Sequence, residues 1–443
     1  MKKAVLLFSL LLSGFPIFAQ NGFYFENGRD KVSIPFKLIN NLVFIPIKVN
    51  GVELNFLLDS GVEETVLFSL EDKKEVNFYN IEKITLKGLG SEEAIEGLKS
   101  TNNNLNVNGL KSSNHLLYVI LDQSFNLSSH IGIPVNGIIG YSFFKNNLVE
   151  LNYQKKRVVV YQNSERNRIK FEKKFKTIAI TIEKAKPYLI SSVVIDTAKI
   201  PAKLLVDVGN SDAIWLFENR SDKIKVPAKH FEDYLGKGFS GDVEGKRAKI
   251  NRVYISDFEF KRPIVSFPDS SSVKNVKIVE GRLGSVGGEI LKRFTVVFDY
   301  SGGKMFLKKN YDFNAPFTYN KSGIEIQHHG LQWVQETVKL ETVPLMGDNF
   351  DAKGDKMTNN FRYKFQLKPV YEIANIRKNS PAANCGLQSG DVLITVNKEP
   401  AYKYSLQEIN LMLKSEEDKW ITLEIERDSQ ILKFRFQLLD MLK

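Results

Sequence analysis

Phe56-Leu57-Leu58-Asp59-Ser60-Gly61 and Leu204-Leu205-Val206-Asp207-Val208-Gly209 are two copies of one pattern, an apolar run ending in Asp-x-Gly, set 148 residues apart. The register extends outward from both. At the same offset Gly88-Leu89-Gly90 meets Gly236-Lys237-Gly238, and Ile95-Glu96-Gly97 meets Val243-Glu244-Gly245. Leu105, Val107 and Leu110 meet Val253, Ile255 and Phe258. After a one-residue deletion, Gly137-Ile138-Ile139-Gly140 meets Gly284-Ser285-Val286-Gly287, Lys145 meets Lys292, Val149 meets Val296 and Tyr153 meets Tyr300. Ordered matches over about a hundred positions mark an internal duplication. The chain carries two homologous lobes.

Each lobe reads as β. Leu42–Val49, Leu54–Leu58, Leu116–Leu121 and Val158–Tyr161 are short, β-branched or aromatic runs separated by Gly, Asn and Ser. The second lobe offers Leu189–Ile195, Lys203–Val206, Arg252–Ile255 and Thr295–Phe298. Helical signals are few, with one short turn or helix at Gly140–Lys145 and another at Gly288–Lys292.

Each Asp follows an apolar strand and precedes a glycine turn, a placement that aims a carboxylate out of a rigid strand end. A pseudo-twofold axis between the lobes brings Asp59 and Asp207 together. Two adjacent carboxylates cannot both ionise easily, so they share a proton. The ionised member then takes a proton from water while the protonated member polarises a carbonyl. A lone Asp-x-Gly is only a turn signal; its recurrence in both repeats raises it to a candidate site.

Leu57-Leu58-Asp59-Ser60-Gly61-Val62-Glu63-Glu64-Thr65-Val66-Leu67 resembles the active-site segment of retroviral-type aspartic proteases, the retropepsins. Gly137-Ile138-Ile139-Gly140 resembles the later apolar-apolar-Gly motif that supports the catalytic loop from behind. The resemblance covers roughly residues 35–310. It implies a mainly β fold of two retropepsin-like β-barrel lobes fused in one chain, with a flap hairpin over a substrate cleft and Asp59 and Asp207 as the catalytic dyad. Ser60, Gly61, Val208 and Gly209 would shape the catalytic loops, with Gly140 and Gly287 behind them. The flap candidates are Gly88, Gly90 and Gly97 in the first lobe and Gly236, Gly238 and Gly245 in the second. The second lobe departs from the pattern. Val208 stands where the family has Thr or Ser, so one hydroxyl brace between the loops must be lost, and Ser285 replaces an apolar residue. Val62, at a position usually small, is expected to narrow the cleft.

The repeat ends near Asn310. Ser380-Pro381-Ala382-Ala383-Asn384-Cys385-Gly386-Leu387-Gln388-Ser389-Gly390-Asp391 closely resembles the signature of bacterial PDZ domains. Pro381 opens a short helix, Gly386 ends it, and Gly390-Asp391 turns into a strand. Ser405–Lys414 has helical spacing, and Ile421–Ile425 and Ile431–Phe436 are closing strands. The resemblance implies a small α+β module that captures an extended peptide by strand addition. Phe365-Gln366-Leu367 is the candidate carboxylate-binding loop. Cys385, where the family usually has Ala, reads as a small core residue and not a nucleophile. His328 and His329, being adjacent, point to opposite faces of a strand and do not make a metal site.

Composition agrees. The 443 residues are 43% hydrophobic and 26% charged with 29 Gly and 14 Pro, an ordinary globular balance. One Cys and five His argue against a disulfide framework, a Cys-rich zinc site or an iron–sulfur cluster. A dyad of carboxylates and a water needs no cofactor and no metal. The net charge of +11 is spread along the chain, which favours a solvated cationic surface over a nucleic-acid groove. Lys2 and Lys3, the apolar run Ala4–Phe18 and then Ala19-Gln20 read as a secretory signal peptide cut after Ala19. No later run is long enough to span a membrane.

The expected organisation is a signal peptide at 1–19, protease-like lobes at 20–165 and 166–315, and a PDZ domain at 320–443. The expected function is an aspartic endopeptidase, exported to the periplasm or exterior of a bacterium, that cuts extended or unfolded protein, with a PDZ module binding peptide or substrate ends. The alternative is a catalytically inactive peptide-binding protein of the cell envelope that keeps the fold.

Overall fold

Leu42–Val49 and Val52–Leu58 form a tight hairpin because Asn50 and Gly51 turn the chain at φ 48° and 94°, the left-handed pair a two-residue turn requires. The same hairpin recurs as Lys186–Ile195 and Ala198–Val206. The computed structural model describes residues 22–70, 75–86, 95–122, 127–238, 241–273, 278–339 and 361–443. Over them the chain is mostly β. The expected signal peptide lies outside the described residues, as do Gly88 and Gly90. Among the described residues no helix is long and apolar enough to cross a membrane.

In each repeat the strand that ends in Asp runs parallel to a later strand, which in turn pairs antiparallel with the strand leaving the Asp turn. In the first repeat Val52–Leu58 pairs with Gly137–Ile139, and that strand with Thr65–Leu67. In the second, Ala198–Val206 pairs with Arg282–Val286, and that strand with Ile214–Leu216. The short helices Tyr141–Phe144 and Gly288–Leu291 follow the third strand in each. Strand pairing closes a circuit in the first lobe, through Ile95–Val107 against Leu110–Ile120, and runs as an open path in the second.

Both repeats contribute to one further six-stranded sheet, at whose centre Leu148–Asn152 pairs antiparallel with Phe294–Asp299. In that ladder Glu150 lies opposite Val297, its own counterpart in the repeat. The pseudo-twofold therefore passes through this pair. A helix, Glu165–Glu172, capped by the Ser164 hydroxyl, joins the halves. The two lobes share one apolar cluster that includes Phe56, Leu58, Val206 and Phe298, and burial of this kind is what holds two small β units together.

The C-terminal residues build a separate sheet in the order Ile324–Lys339, Phe361–Ile376, Val392–Val396, Trp420–Arg427 and Gln430–Gln437, with its own core around Ile373, Leu393 and Ile409. Helix Pro381–Asn384 starts at Pro381 with Ser380 as its cap, and helix Leu406–Leu413 carries a Ser405/Glu408 capping box. Asp391 is buried and held by both arms of Arg427 at 2.6 and 2.7 Å. Phe365 and Leu367 lie in the middle of strand Phe361–Ile376, not in a loop, with much of their surface exposed. This corrects the carboxylate-loop assignment. The residues between 361 and 368 alternate polar and apolar, and that period of two is the signature of a strand with one open face.

Candidate active site

The strand that leads into each Asp-x-Gly turn is held at its end by one backbone bond. Asp59 N–H donates to Ile139 O at 2.9 Å and Asp207 N–H to Val286 O at 2.8 Å. Gly140 and Gly287 let the following helices press on these turns. A Cβ at Gly140 would lie 1.9 Å from Val62 O, and one at Gly287 would lie 2.3 Å from Asp212 O.

The turns meet across the pseudo-twofold, and the Asp59 and Asp207 carboxyls lie close enough to shift each other's protonation. Each carboxyl also accepts from the second residue along: Gly61 N–H donates to Asp59 Oδ1 at 2.6 Å, and Gly209 N–H donates to Asp207 Oδ1 at 3.1 Å. The glycines serve the opposite acid by lacking a side chain. A Cβ at Gly209 would stand 2.2 Å from the Asp59 carboxyl carbon, and one at Gly61 would stand 2.9 Å from Asp207 Oδ1.

Ser60 and Val208 face each other unequally. The Ser60 hydroxyl donates to Val206 O at 2.6 Å and accepts from Val208 N–H at 2.9 Å, tying the second turn to the first. Val208 is fully buried in the apolar cluster and returns no such bond. The brace is one-sided. Ser285 accepts from the Asn210 amide at 3.3 Å, giving that polar exception a partner. Val62 packs on the apolar cluster around Leu57 and Ile138 and is not among the residues that line the cavity beside Asp207.

The electrostatics of the pair are also unequal. Burial, and then the Asp207 charge, push the Asp59 carboxyl well above the usual carboxylate range. Burial raises Asp207 too, while the Arg282 guanidinium pulls it back part of the way. With both carboxyls pushed up, the pair is set to share one proton. Arg282 is itself buried, donates to Gly284 O at 3.0 Å, and stacks over Phe217.

A cavity of about 670 Å³ lies beside Asp207 and Gly209. The hairpin His230–Gly238 with Gly241–Lys249 lines one side through Tyr234 and Gly236, so the second flap candidate borders the cavity. Gly238 pairs with Gly241 at the end of that ladder, and Gly245 packs against Phe267 O of the neighbouring strand. In the first lobe Gly97 sits in the corresponding hairpin, opposite Ile84.

Three groups escape a reading of the sequence. Arg282 is one; its repeat counterpart is Val135, so only a mismatch between the lobes marks it. Tyr300 is the second, a buried phenol with no partner for its hydroxyl among the described residues, stacked on Phe144 near both acids. Its match to Tyr153 in the repeat was the available signal. The third is an ion-pair chain. Arg247 binds Asp212 beside the second Asp turn and Asp233 on the His230–Lys249 hairpin, each at 2.7 Å, and Asp233 binds Arg377 of the C-terminal module at 2.8 Å. Among the described residues no cluster of His, Cys, Asp and Glu could hold a metal ion. His328 faces the Tyr371 ring, and His329 pairs with Glu372. Cys385 is half-buried against the module's core.

Residues 45–143 match the family model described as aspartyl protease, and residues 372–427 match the one described as PDZ domain. The chain thus carries a retropepsin-like aspartyl protease domain and a PDZ domain. The second Asp turn lies beyond the matched segment and rests on the internal repeat and its equivalent pairing. No curated protein matches the chain.

Proposed function

We propose that this protein is an aspartic endopeptidase that cuts extended peptides or unfolded protein, with Asp59 as the acid, Asp207 as the base, and the PDZ module as a second grip on the chain being cut. One observation carries the reading: two buried carboxyls from repeated turns meet, each packed against the other turn's glycine, and burial pushes both above the usual carboxylate range. A water between them loses a proton to Asp207 as it attacks the scissile carbonyl carbon, while Asp59 gives its proton to the carbonyl oxygen. Breakdown of the tetrahedral adduct then breaks the C–N bond, with a proton passing to the leaving nitrogen. The N-terminal signal supports export to the periplasm or beyond, where such an enzyme meets unfolded protein.

The one-sided brace supports the rival, a non-catalytic binder that retains the fold. The test compares wild type with Asp59→Asn and Asp207→Asn on unfolded proteins from acidic to neutral pH. Cleavage by wild type that both variants lack supports the enzyme. No turnover by any of the three, with peptide binding intact in all, supports the binder.

A further inference from the structure

Among the described residues, strand Ile324–Lys339 pairs on one side only, with Phe361–Ile376, and helix Leu406–Leu413 packs against it. This is the edge at which an added peptide strand would lie. Helix Ser128–Ile131 of the first lobe packs on the same strand, and a Cβ at Gly132 would lie 3.0 Å from Leu406 Cβ, so the edge is fixed toward the protease lobes. Gly323, Ile324 and Glu325 line the same cavity that Asp207 and Gly209 line.

Holding the carboxylate that ends a chain demands more than an edge. A desolvated carboxylate needs N–H donors aimed at it. The turn feeding this strand, residues 320–323, is where backbone donors would come from, and its donors are already engaged. Lys321 N–H donates to Leu413 O at 3.0 Å, which ties the turn to the end of the helix. Ser322 and Gly323 N–H both donate to Asn320 Oδ1, at 3.0 and 3.2 Å, and Ile324 N–H donates to Ser322 Oγ at 3.1 Å. The Ser322 hydroxyl donates to the same Asn320 oxygen at 2.6 Å. Asn320 Oδ1 thus fills the acceptor position an incoming carboxylate would need.

The turn is also locked. Asn320 Nδ2 donates to Ile324 O at 2.6 Å, and Arg377 donates to Asn320 O at 3.0 Å. Gly323 has φ 83° and packs so tightly on Ser380 that a Cβ there would meet its Oγ at 2.3 Å. The next side chain is acidic. Burial, and then the Asp233 charge, push the Glu325 carboxyl up to about 7, and Lys414 at the helix end faces it.

We propose that the C-terminal module grips the interior of an extended chain and does not read a free carboxyl end, so that the gripped chain continues through the shared cavity to the Asp59–Asp207 pair. The inference rests on the module being a peptide binder, and it makes the substrate an internal segment of unfolded protein.

The test uses the full chain carrying Asp59→Asn and a pool of mixed-sequence peptides made as C-terminal acids and as C-terminal amides. Anisotropy measures affinity, and hydrogen exchange reports protection of Ile324–Lys339. The expected result is equal affinity within about twofold and protection of that strand by both forms. Binding of the acid about tenfold tighter than the amide overturns the inference and leaves the peptide-binding reading intact. Protection by neither form overturns the peptide-binding reading itself. Asn320→Ala frees two N–H groups and should create a preference for the acid. A folded variant with no such preference overturns the role given to Asn320, and the comparison in the parent chain decides the inference if that variant fails to fold.

Discussion

The two Asp turns are copies in sequence and in backbone pairing, and they differ in what supports the acid. The first turn supplies the brace: Ser60 reaches across to Val206 O and Val208 N–H. It also has Thr65, whose hydroxyl lies 2.8 Å from His115 Nε2, in a buried network that ends on Ser112. Burial pushes the His115 imidazole down to about 4, so that network stays neutral under ordinary conditions. The second turn has no hydroxyl at Val208, and its support is ionic, with Arg282 beside Asp207 and Arg247 on Asp212. Duplication made a symmetric frame, and divergence gave one acid a neutral bed and the other a charged one. That difference gives each acid its own electrostatic surroundings.

The largest effect breaks the pair itself. Asp59→Asn and Asp207→Asn should each lower kcat/KM on the order of 10³-fold, since each removes one partner of the proton exchange. Steady-state cleavage of an unfolded protein measures it, and a loss confined to one variant would mean that the lobes do not work as a dyad. Next comes the crosswise glycine contact. Gly209→Ala drives a methyl into the Asp59 carboxyl and should cost about 10²-fold in kcat, as misplacement near 1 Å does. Gly61→Ala meets the Asp207 carboxyl at 2.9–3.1 Å, a looser contact than the 2.2 Å at Gly209, so its loss should be smaller. Equal losses would contradict the asymmetry.

Arg282→Gln sharpens the electrostatic side of the comparison. The guanidinium holds the Asp207 carboxyl down, so its removal raises the pH at which Asp207 takes up a proton. The base must be ionised, so the acidic limb of kcat/KM against pH should move to higher pH. The alkaline limb, set by loss of the Asp59 proton, should move less, because burial and Asp207 dominate that site. An unmoved acidic limb would remove Arg282 from the account.

How far this was legible beforehand follows from what repeats and what does not. Leu42–Val49 and Arg252–Ile255 stand with the boundaries their β-branched and aromatic runs imply, and the short helices after Gly140 and Gly287 lie where their matched motifs put them. Asp59 and Asp207 were visible because duplication displays the same residue twice. Arg282 was not, because it has no counterpart, and a single buried cation leaves no pattern. The Arg247–Asp233–Arg377 chain joins residues whose proximity exists only after the module docks on the His230–Lys249 hairpin. Phe365 and Leu367 were assigned to a loop, whereas they are exposed apolar residues on a strand paired along its length with Ile324–Lys339.

The smallest effects test whether the missing hydroxyl matters. Ser60→Ala leaves the buried Val208 N–H without an acceptor and should cost about 1–3 kcal/mol of stability, read from the denaturant midpoint. Val208→Thr adds a hydroxyl on the side that lacks one. By the repeat, its partners would be Leu58 O and Ser60 N–H, the counterparts of Val206 O and Val208 N–H. One net hydrogen bond is worth about 1 kcal/mol, and exchanging a buried methyl for a hydroxyl costs a similar amount. The variant should therefore stay within about 1 kcal/mol of wild type and retain its kcat. A loss near 3 kcal/mol would mean that the turns have drifted too far from symmetry to accept a second brace. Little change would show why valine survives there: with Ser60 already tying the turns together, a second brace adds specificity of position that Arg282 and the glycines supply by other means.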